Sequence, residues 1–342
     1  MNLLKRTMAL GLSLLLALSL TACGQKTEEP APQEETPVQE TPAEDPITTR
    51  IAALKGPTAM GMVKLMSDDP QSANGPMYDF TLAGAADEVT PALIKGDLDM
   101  ACVPANLASV LYNKTEGQIV TLAVNTLGVL YVVENGNAVT SMADLAGKTI
   151  VAAGKGSTPE YALRYLLSEN GIDPDTDVVI DWKSEHAECV AALASGAATI
   201  ALLPQPFVTV AQTKIDGLRM ALDLTAEWDA LDNGSGMITG VVVARTAFTE
   251  EHPTAVEAFL ADYAESVAWV NENTADAAAL ISQYGIIETA PVAEKALPHC
   301  NIVCITGSEM QAKLSGYLQV LFDAEPSSVG GALPGDDFYY GA

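Results

Sequence analysis

The residues best suited to chemistry in this chain lie in turns that expose backbone. Gly154-Lys155-Gly156-Ser157-Thr158 joins two glycines, a cation and two hydroxyls within five positions. Glycine lets a backbone approach a ligand closely, Ser157 or Thr158 can cap a following helix, and Lys155 supplies positive charge. Lys55-Gly56-Pro57-Thr58, leading through Ala59 into a stretch with helical apolar spacing, has similar ingredients, with proline suited to a first helical position. Pro104-Ala105-Asn106 and Pro204-Gln205-Pro206 are further turns of this kind, and Asn125-Thr126 adds an amide and a hydroxyl. Such groups do non-covalent chemistry: unpaired N–H groups at helix starts, hydroxyls and amides that hold a small solute. The candidate ligand-binding set is Lys55, Gly56, Pro57, Thr58, Ala59, Asn106, Asn125, Thr126, Gly156, Ser157, Thr158 and Gln205. Each also has a plain structural explanation as a capped helix start or a core amide.

Covalent and metal chemistry have less support. Gly-x-x-x-x-Gly-Lys-[Ser/Thr] is absent, so no phosphate-binding P-loop is expected. His186, His252 and His299 are scattered, none with a serine or aspartate at a spacing that suggests a triad. His299-Cys300 with Cys304 comes nearest to a metal cluster, but no Cys-x-x-Cys pair accompanies it. Cys300 and Cys304 flank Ile302-Val303 and read as buried small hydrophobes, with a local disulfide left open. No catalytic residue, metal or cofactor is expected.

The candidate turns must be positioned by the elements around them. Ile51–Leu54 reads as a strand before the first turn, Leu98–Val103 as a strand before Pro104, and 119–125 as a third strand. Val129–Val133 reads as a strand leaving a first lobe. Thr149–Ala153 then leads into the glycine-rich turn and a helix from Glu160 to about Asn170. A strand over 178–182 is followed by a helix over 187–193 and a strand over 199–203. Met237–Val243 reads as a strand returning to the first lobe. Ala255–Glu272 has Phe259, Tyr263, Val267 and Val270 on one helical face, and the rest is expected to be helical to about Phe322. Strands alternating with helices predict α/β lobes with mostly parallel sheets. Trp269 reads as core, Trp228 carries little signal, and Trp182 could stack on a ring at a lobe rim.

The N-terminus carries an address. Lys5 and Arg6 precede an apolar run over residues 7–20, too short for a spanning helix of about 20 residues. Cys23 follows Leu20-Thr21-Ala22 and resembles the lipidated cysteine of a bacterial lipobox. Residues 1–22 are therefore expected to be a signal peptide and Cys23 the lipidation site. Residues 23–46 read as a disordered acidic Pro/Glu/Thr linker, with too little apolar surface to fold. The formal charge of −27 becomes −29 without Lys5 and Arg6, and about −23 falls on the body from Ile47 onward. Such a balance opposes non-specific binding to nucleic acid or anionic lipid. About 296 residues in the body favour two lobes over one core.

Several fragments together resemble a family. They are Asp144-Leu145-Ala146-Gly147-Lys148-Thr149-Ile150, Gly156-Ser157-Thr158, Asn170-Gly171-Ile172-Asp173-Pro174, and Ala194-Ser195-Gly196 before Ile200-Ala201-Leu202-Leu203-Pro204. Phe248-Thr249-Glu250-Glu251-His252-Pro253 completes the set. In order and spacing they resemble the extracytoplasmic solute-binding lipoproteins of ABC importers. The similar branch includes nitrate-, sulfonate/taurine- and thiamine-pyrimidine-binding proteins. Two departures stand out: Gln205-Pro206 where that family often has Glu-Pro, and no arginine placed as an anion clamp.

The resemblance implies a type II periplasmic-binding-protein fold, each lobe a mostly parallel sheet flanked by helices with the ligand cleft between. Lobe 1 would comprise residues 47–129 plus 240–342 and lobe 2 residues 130–239. It further implies a non-enzymatic, monomeric, lipid-anchored protein on the outer face of the cell membrane. That protein would deliver a solute, a heteroaromatic vitamin precursor or a sulfonate-like anion, to a permease and its ATPase. Enzymes of the same fold, resembling chorismate dehydratases or pyrimidine synthases, are the alternative, as is a sensor lipoprotein without transport.

Overall fold

The computed structural model describes residues 47–68 and 77–342. The expectations for the leader, Cys23 and the linker concern residues outside that description.

Two sheets organise the described residues. The first contains β1 (Thr48–Leu54), β2 (Met77–Ala83), β3 (Met100–Pro104), β4 (Ile119–Leu127), β10 (Ile238–Arg245) and β11 (Ile302–Ile305), in the order β11-β4-β10-β3-β1-β2. The second contains β5 (Leu130–Glu134), β6 (Thr149–Ala153), β7 (Val179–Lys183), β8 (Ile200–Pro204) and β9 (Arg219–Asp223), in the order β7-β6-β8-β5-β9. β1 pairs in parallel with β2 and β3, and β6 with β7 and β8. The reversed strands are β10 and edge strand β11 in the first sheet and β5 in the second. β5 and β10 are the strands the chain enters on crossing from one sheet to the other. β4 and β9 run toward the shared edge, so the strand after each crossing must run away from it.

The helices fill the connections between strands. α1 (Pro57–Met60) and α2 (Val63–Ser67) follow β1, α3 (Ala86–Lys95) follows β2, and α4 (Ala105–Lys114) follows β3. α5 (Thr158–Glu169), α6 (His186–Ala194), α7 (Phe207–Lys214) and α8 (Leu224–Asp229) follow β6, β7, β8 and β9. After β10 come α9 (Thr246–Glu251), α10 (Pro253–Glu272), α11 (Thr274–Gln283) and α12 (Ala290–Ala296), then β11 and α13 (Gly307–Ala324).

Burial follows strand alternation. On β1, Ile51 and Ala53 pack with Met100, Cys102 and Val242 against the apolar stripe of α10, including Phe259 and Tyr263. Ala52 faces the other way, into a core with Val103, Val241 and Leu314 that continues into the second sheet through Leu130, Val132, Ile150 and Trp228. A third cluster lies beyond the second sheet, where Val133, Val151 and Leu203 meet α6 and α7. Asp99, almost fully buried, holds the first sheet's end. It accepts from Arg50 Nε at 2.9 Å and Nη2 at 2.7 Å, and from Arg245 Nη2 at 2.9 Å. Burial alone would raise this carboxyl, but the two arginines hold it below its ordinary value.

Several sequence expectations change. Residues 302–305 interrupt the helical C-terminal region as β11, an apolar run that completes the edge beside β4. β2, α3 and β9 were not foreseen. Trp228 is fully buried, its ring 4.8 Å from Tyr165 and 5.3 Å from Tyr317. Trp182 packs half-buried against the continuous core, and Trp269 lies half-buried under the Lys64 ammonium, 5.6 Å from the ring centre. Cys300 is buried and unpaired, donating to Ala296 O at 3.2 Å, and Cys304 is also a free thiol.

The C-terminal residues strap α4. Ser109 Oγ donates to Val329 O at 2.8 Å, and Asn113 Nδ2 donates to Val329 O at 2.9 Å and Ala332 O at 2.7 Å. Tyr340 N donates to Thr121 O at 2.9 Å, pinning the chain's end to β4.

Candidate functional site

In both sheets the parallel strands end at one edge, where turns lead into helix starts. A cleft of about 690 Å³ lies there, lined from both sheets. Such crevices at strand carboxyl ends are the usual ligand sites of open α/β sheets, and the volume suits a small organic molecule.

The first sheet contributes Lys55-Gly56-Pro57-Thr58, Gly84-Ala85-Ala86-Asp87-Glu88, Pro104, Leu107 and Thr126. Gly56 adopts φ +140°, a conformation L side chains rarely take, which lets Pro57 open α1. Thr58 Oγ1 donates to Leu54 O at 2.9 Å. The second sheet contributes Ala153 through Pro159, Lys183-Ser184-Glu185-His186, Pro204 and Phe207. Gly154 and Gly156 have φ +87° and +76°, and a Cβ on Gly154 would stand 2.9 Å from Pro159 Cγ. Both the tight turn and the close approach therefore require glycine there.

Several turn donors are held by the chain's own side chains. Glu88 Oε1 accepts from Gly84 N at 3.1 Å and Ala85 N at 2.9 Å at the start of α3. Glu160 Oε2 accepts from Gly156 N at 2.6 Å before α5, and Glu188 Oε2 accepts from Ser184 N at 3.2 Å before α6. Gln205 Oε1 accepts from Thr209 N at 3.3 Å and Thr209 Oγ1 at 2.9 Å, closing the start of α7. Ser157 Oγ donates to Gly154 O at 2.7 Å, so this hydroxyl braces its own turn.

Of the twelve sequence-nominated residues, Lys55, Gly56, Pro57, Thr58, Thr126, Gly156, Ser157 and Thr158 line the cleft. Ala59, Asn106, Asn125 and Gln205 are buried behind it. Asn106 instead links parts of the fold: its Nδ2 donates to Ser328 O at 2.9 Å, and its Oδ1 accepts from Thr158 Oγ1 at 3.3 Å. Asn125 Oδ1 accepts from Thr126 Oγ1 at 3.1 Å. The side-chain carbonyl oxygen of Gln205 is taken by Thr209. The sequence reading missed the Gly84–Glu88 and Lys183–His186 turns. Their signal was glutamate three residues after each helix start, at 88 and 188 and again at 160, the second half of a capping box.

His186 and Phe207 form an aromatic wall, their ring centres 5.3 Å apart and tilted by 40°. Burial pushes the His186 imidazole down to about 4, so it is neutral at physiological pH. Its Nδ1 and the Thr239 hydroxyl, both lining residues, have no partner among the described residues. Lys183 pairs with Asp181 at 2.9 Å, while Lys55 and Lys155 extend into solvent. Three carboxylates, Asp87, Glu88 and Glu185, line the same cleft as these three lysines. No group of histidines, cysteines and carboxylates among the described residues could hold a metal ion, and no described helix is long and apolar enough to cross a membrane.

Comparisons with known proteins place this architecture. A crystal structure of an ABC transporter protein from Parabacteroides distasonis superposes with a TM-score of 0.71 at 23% identity, covering 85% of this chain and 98% of that one. The periplasmic aliphatic sulphonate-binding protein SsuA from Escherichia coli gives 0.68 at 19% identity, covering 84% and 96%. The periplasmic nitrate-binding protein NrtA from Synechocystis gives 0.58 at 15% identity, covering 73% and 69%. At these identities the likeness establishes the fold. No curated protein matches the chain. A family profile described as "ABC transporter, phosphonate, periplasmic substrate-binding protein" matches residues 72–297. The chain belongs to that family of periplasmic ABC-transporter substrate-binding proteins, with the two-lobed α/β fold its structural neighbours share.

Proposed function

We propose that this protein captures a small solute in the cleft between its two sheets and hands it to the permease of an ABC importer, binding it without converting it. The observation that carries this reading is the composition of the cleft wall: turns from both sheets line one volume of about 690 Å³. A solute seated there touches both sides, so its binding energy favours the closed arrangement over the open one. The lobes are residues 47–129 plus 240–342 and residues 130–239, working as a monomer. A lipid on Cys23 holds the body at the outer face of the membrane, and the linker over 23–46 spaces it from the bilayer. Such a linker reaches at most about 70 Å at ~3.1 Å per residue. The solute is a heteroaromatic vitamin precursor or a sulfonate-like anion.

The test is a thermal-shift screen of the purified protein against sulfonates, nitrate, phosphonates, thiamine precursors, flavins and purines. A ligand at a hundred times its Kd adds about 2.7 kcal/mol of stability, a shift readily measured. Ser157→Trp, placed in the half-buried glycine turn, should abolish that shift while leaving the unliganded melting temperature close to the parent's. A broad screen in which nothing raises the melting temperature would refute the reading.

A further inference from the structure

We propose that Asn106 is a positioning residue for solute capture: through its hydrogen bond to Thr158 it fixes how the glycine-rich turn faces the opposite wall of the cleft, and so sets affinity without touching the solute. This deepens the preceding reading and rests on the cleft being the binding site.

Asn106 lies in the first turn of α4, after β3 of the first sheet, and Thr158 opens α5, after β6 of the second. Thr158 Oγ1 donates to Asn106 Oδ1 at 3.3 Å, and both residues are fully buried. Among the described residues no other side-chain hydrogen bond, and no salt bridge, joins residues 130–239 to residues 47–129 and 240–342. The Tyr317 hydroxyl of α13 lies near Thr158 as well but makes no hydrogen bond. The rest of that contact is apolar, with Trp228 against Tyr317 and the continuous core around Leu130, Val241 and Leu314. Apolar burial is non-directional and lets packed elements slide. A hydrogen bond fixes a direction and a length.

The turn has no other outward tie. Ser157 N and Oγ both donate to Gly154 O, Gly156 N donates to Glu160 Oε2, and Glu160 N and Tyr161 N donate to Ser157 O. Every one of these bonds stays within residues 154–161, and Gly154 and Gly156 supply backbone freedom. Asn106, by contrast, is held. Its Nδ2 donates to Ser328 O at 2.9 Å in the C-terminal strap, which fixes the amide plane and presents Oδ1 to α5. A solute that touches both walls binds only when they stand at the right separation, so loosening this tie lowers the competent fraction and the apparent affinity with it.

The experiment titrates two probes, ethanesulfonate and a hydroxymethylpyrimidine, into the parent, Asn106→Leu, Thr158→Val, Thr158→Ser and the Asn106→Leu, Thr158→Val double variant. Each disruptive single variant should weaken the probe that binds by roughly threefold to tenfold, the worth of one neutral hydrogen bond. Thr158→Ser keeps the hydroxyl and should restore affinity. The double variant should be no weaker than the worse single one, because both remove the same tie; losses that multiply would overturn the claim that Asn106 acts through Thr158. Asn113→Ala loosens the strap at Val329 and Ala332 without touching the tie. It should lower the melting temperature and leave affinity unchanged, which separates positioning from general stability. If Asn106→Leu does not fold, the milder Thr158→Val carries the test. Should neither probe bind the parent, those two solute chemistries fall, and hydrogen exchange in the ligand-free protein decides the role of Asn106. The Glu160 and Tyr161 amides should then exchange roughly threefold to tenfold faster in Thr158→Val and at the parental rate in Asn113→Ala. Unchanged affinity in Thr158→Val, or unchanged exchange where no probe binds, overturns the proposal.

Discussion

Gly128 sits in the short connection between β4 and β5, where the chain first crosses from one sheet to the other. A Cβ at this position would stand 2.1 Å from Thr225 Oγ1, 3.0 Å from Thr225 Cβ and 2.8 Å from Met237 Cε. Met237 immediately precedes β10, the strand of the return crossing, so the outgoing and returning connections touch here. Non-bonded carbon contacts settle near 3.5–4.0 Å, so Gly128→Ala demands more than 1 Å of movement from Thr225. Overpacking of this kind costs about 1–3 kcal/mol, and each kcal/mol lowers the melting temperature by about 2–4 °C in a protein of this size class. Thr225→Ala alone should cost less than about 1 kcal/mol, because its buried hydroxyl makes no hydrogen bond. In the double variant the closest atom is gone, and what must yield is the Cβ at position 225, 3.0 Å away, and the flexible end of Met237, 2.8 Å away. Urea denaturation of the parent, both single variants and the double variant then forms a cycle. The expected coupling is at least about 1 kcal/mol in favour of the pair. Additive costs would refute the claim that the two crossings are packed through this contact.

Two further outcomes follow from the buried polar groups. Asn106→Leu strands both Ser328 O and the Thr158 hydroxyl and should destabilise by about 2–4 kcal/mol, against about 1 kcal/mol for Thr158→Val, which strands only one weak acceptor; melting temperatures in the reverse order would contradict the linking role of Asn106. His186 is held neutral in the fold, its value depressed to about 4 from an ordinary 6.5. Its contribution is therefore complete above pH 6.5 and lost as pH falls from there through about 4. His186→Gln should flatten the melting-temperature profile across that window, and an unaltered profile would show that the imidazole is solvated.

The alternation of strands and helices was legible because it depends on local pattern. Ile51–Leu54, Thr149–Ala153 and the stripe of α10 announce themselves through period and punctuation. The glycine-rich turns were legible for the same reason, since positive φ at Gly56, Gly154 and Gly156 is a backbone demand that residue type reveals. β11 was hidden because Ile302–Ile305 is four residues long and is a strand only by virtue of the β4 edge beside it. Asn106 and Gln205 carried the right chemistry for ligand contact, yet their partners, Ser328 and Thr158 for one and Thr209 for the other, turn that chemistry inward. For Asn106 those partners lie 222 and 52 positions away, beyond what local spacing can register. The glutamates at 88, 160 and 188 follow capping spacing, but only the structure shows that the turns they brace, at Gly84-Ala85, Gly156 and Ser184, line one cleft.

The order of strands in the first sheet has a consequence for how the chain is made. β10 lies between β4 and β3, and the last residues are fastened to β4 through Thr121. When the first 130 residues have left the ribosome, β3 and β4 have no partner between them and the sheet is split in two. The gap closes only when residues 238–245 arrive, and the strap over α4 closes only with the final residues. A topology so dependent on late, distant pairings folds slowly, leaving the nascent chain extended for the interval in which a periplasmic protein must be threaded across a membrane.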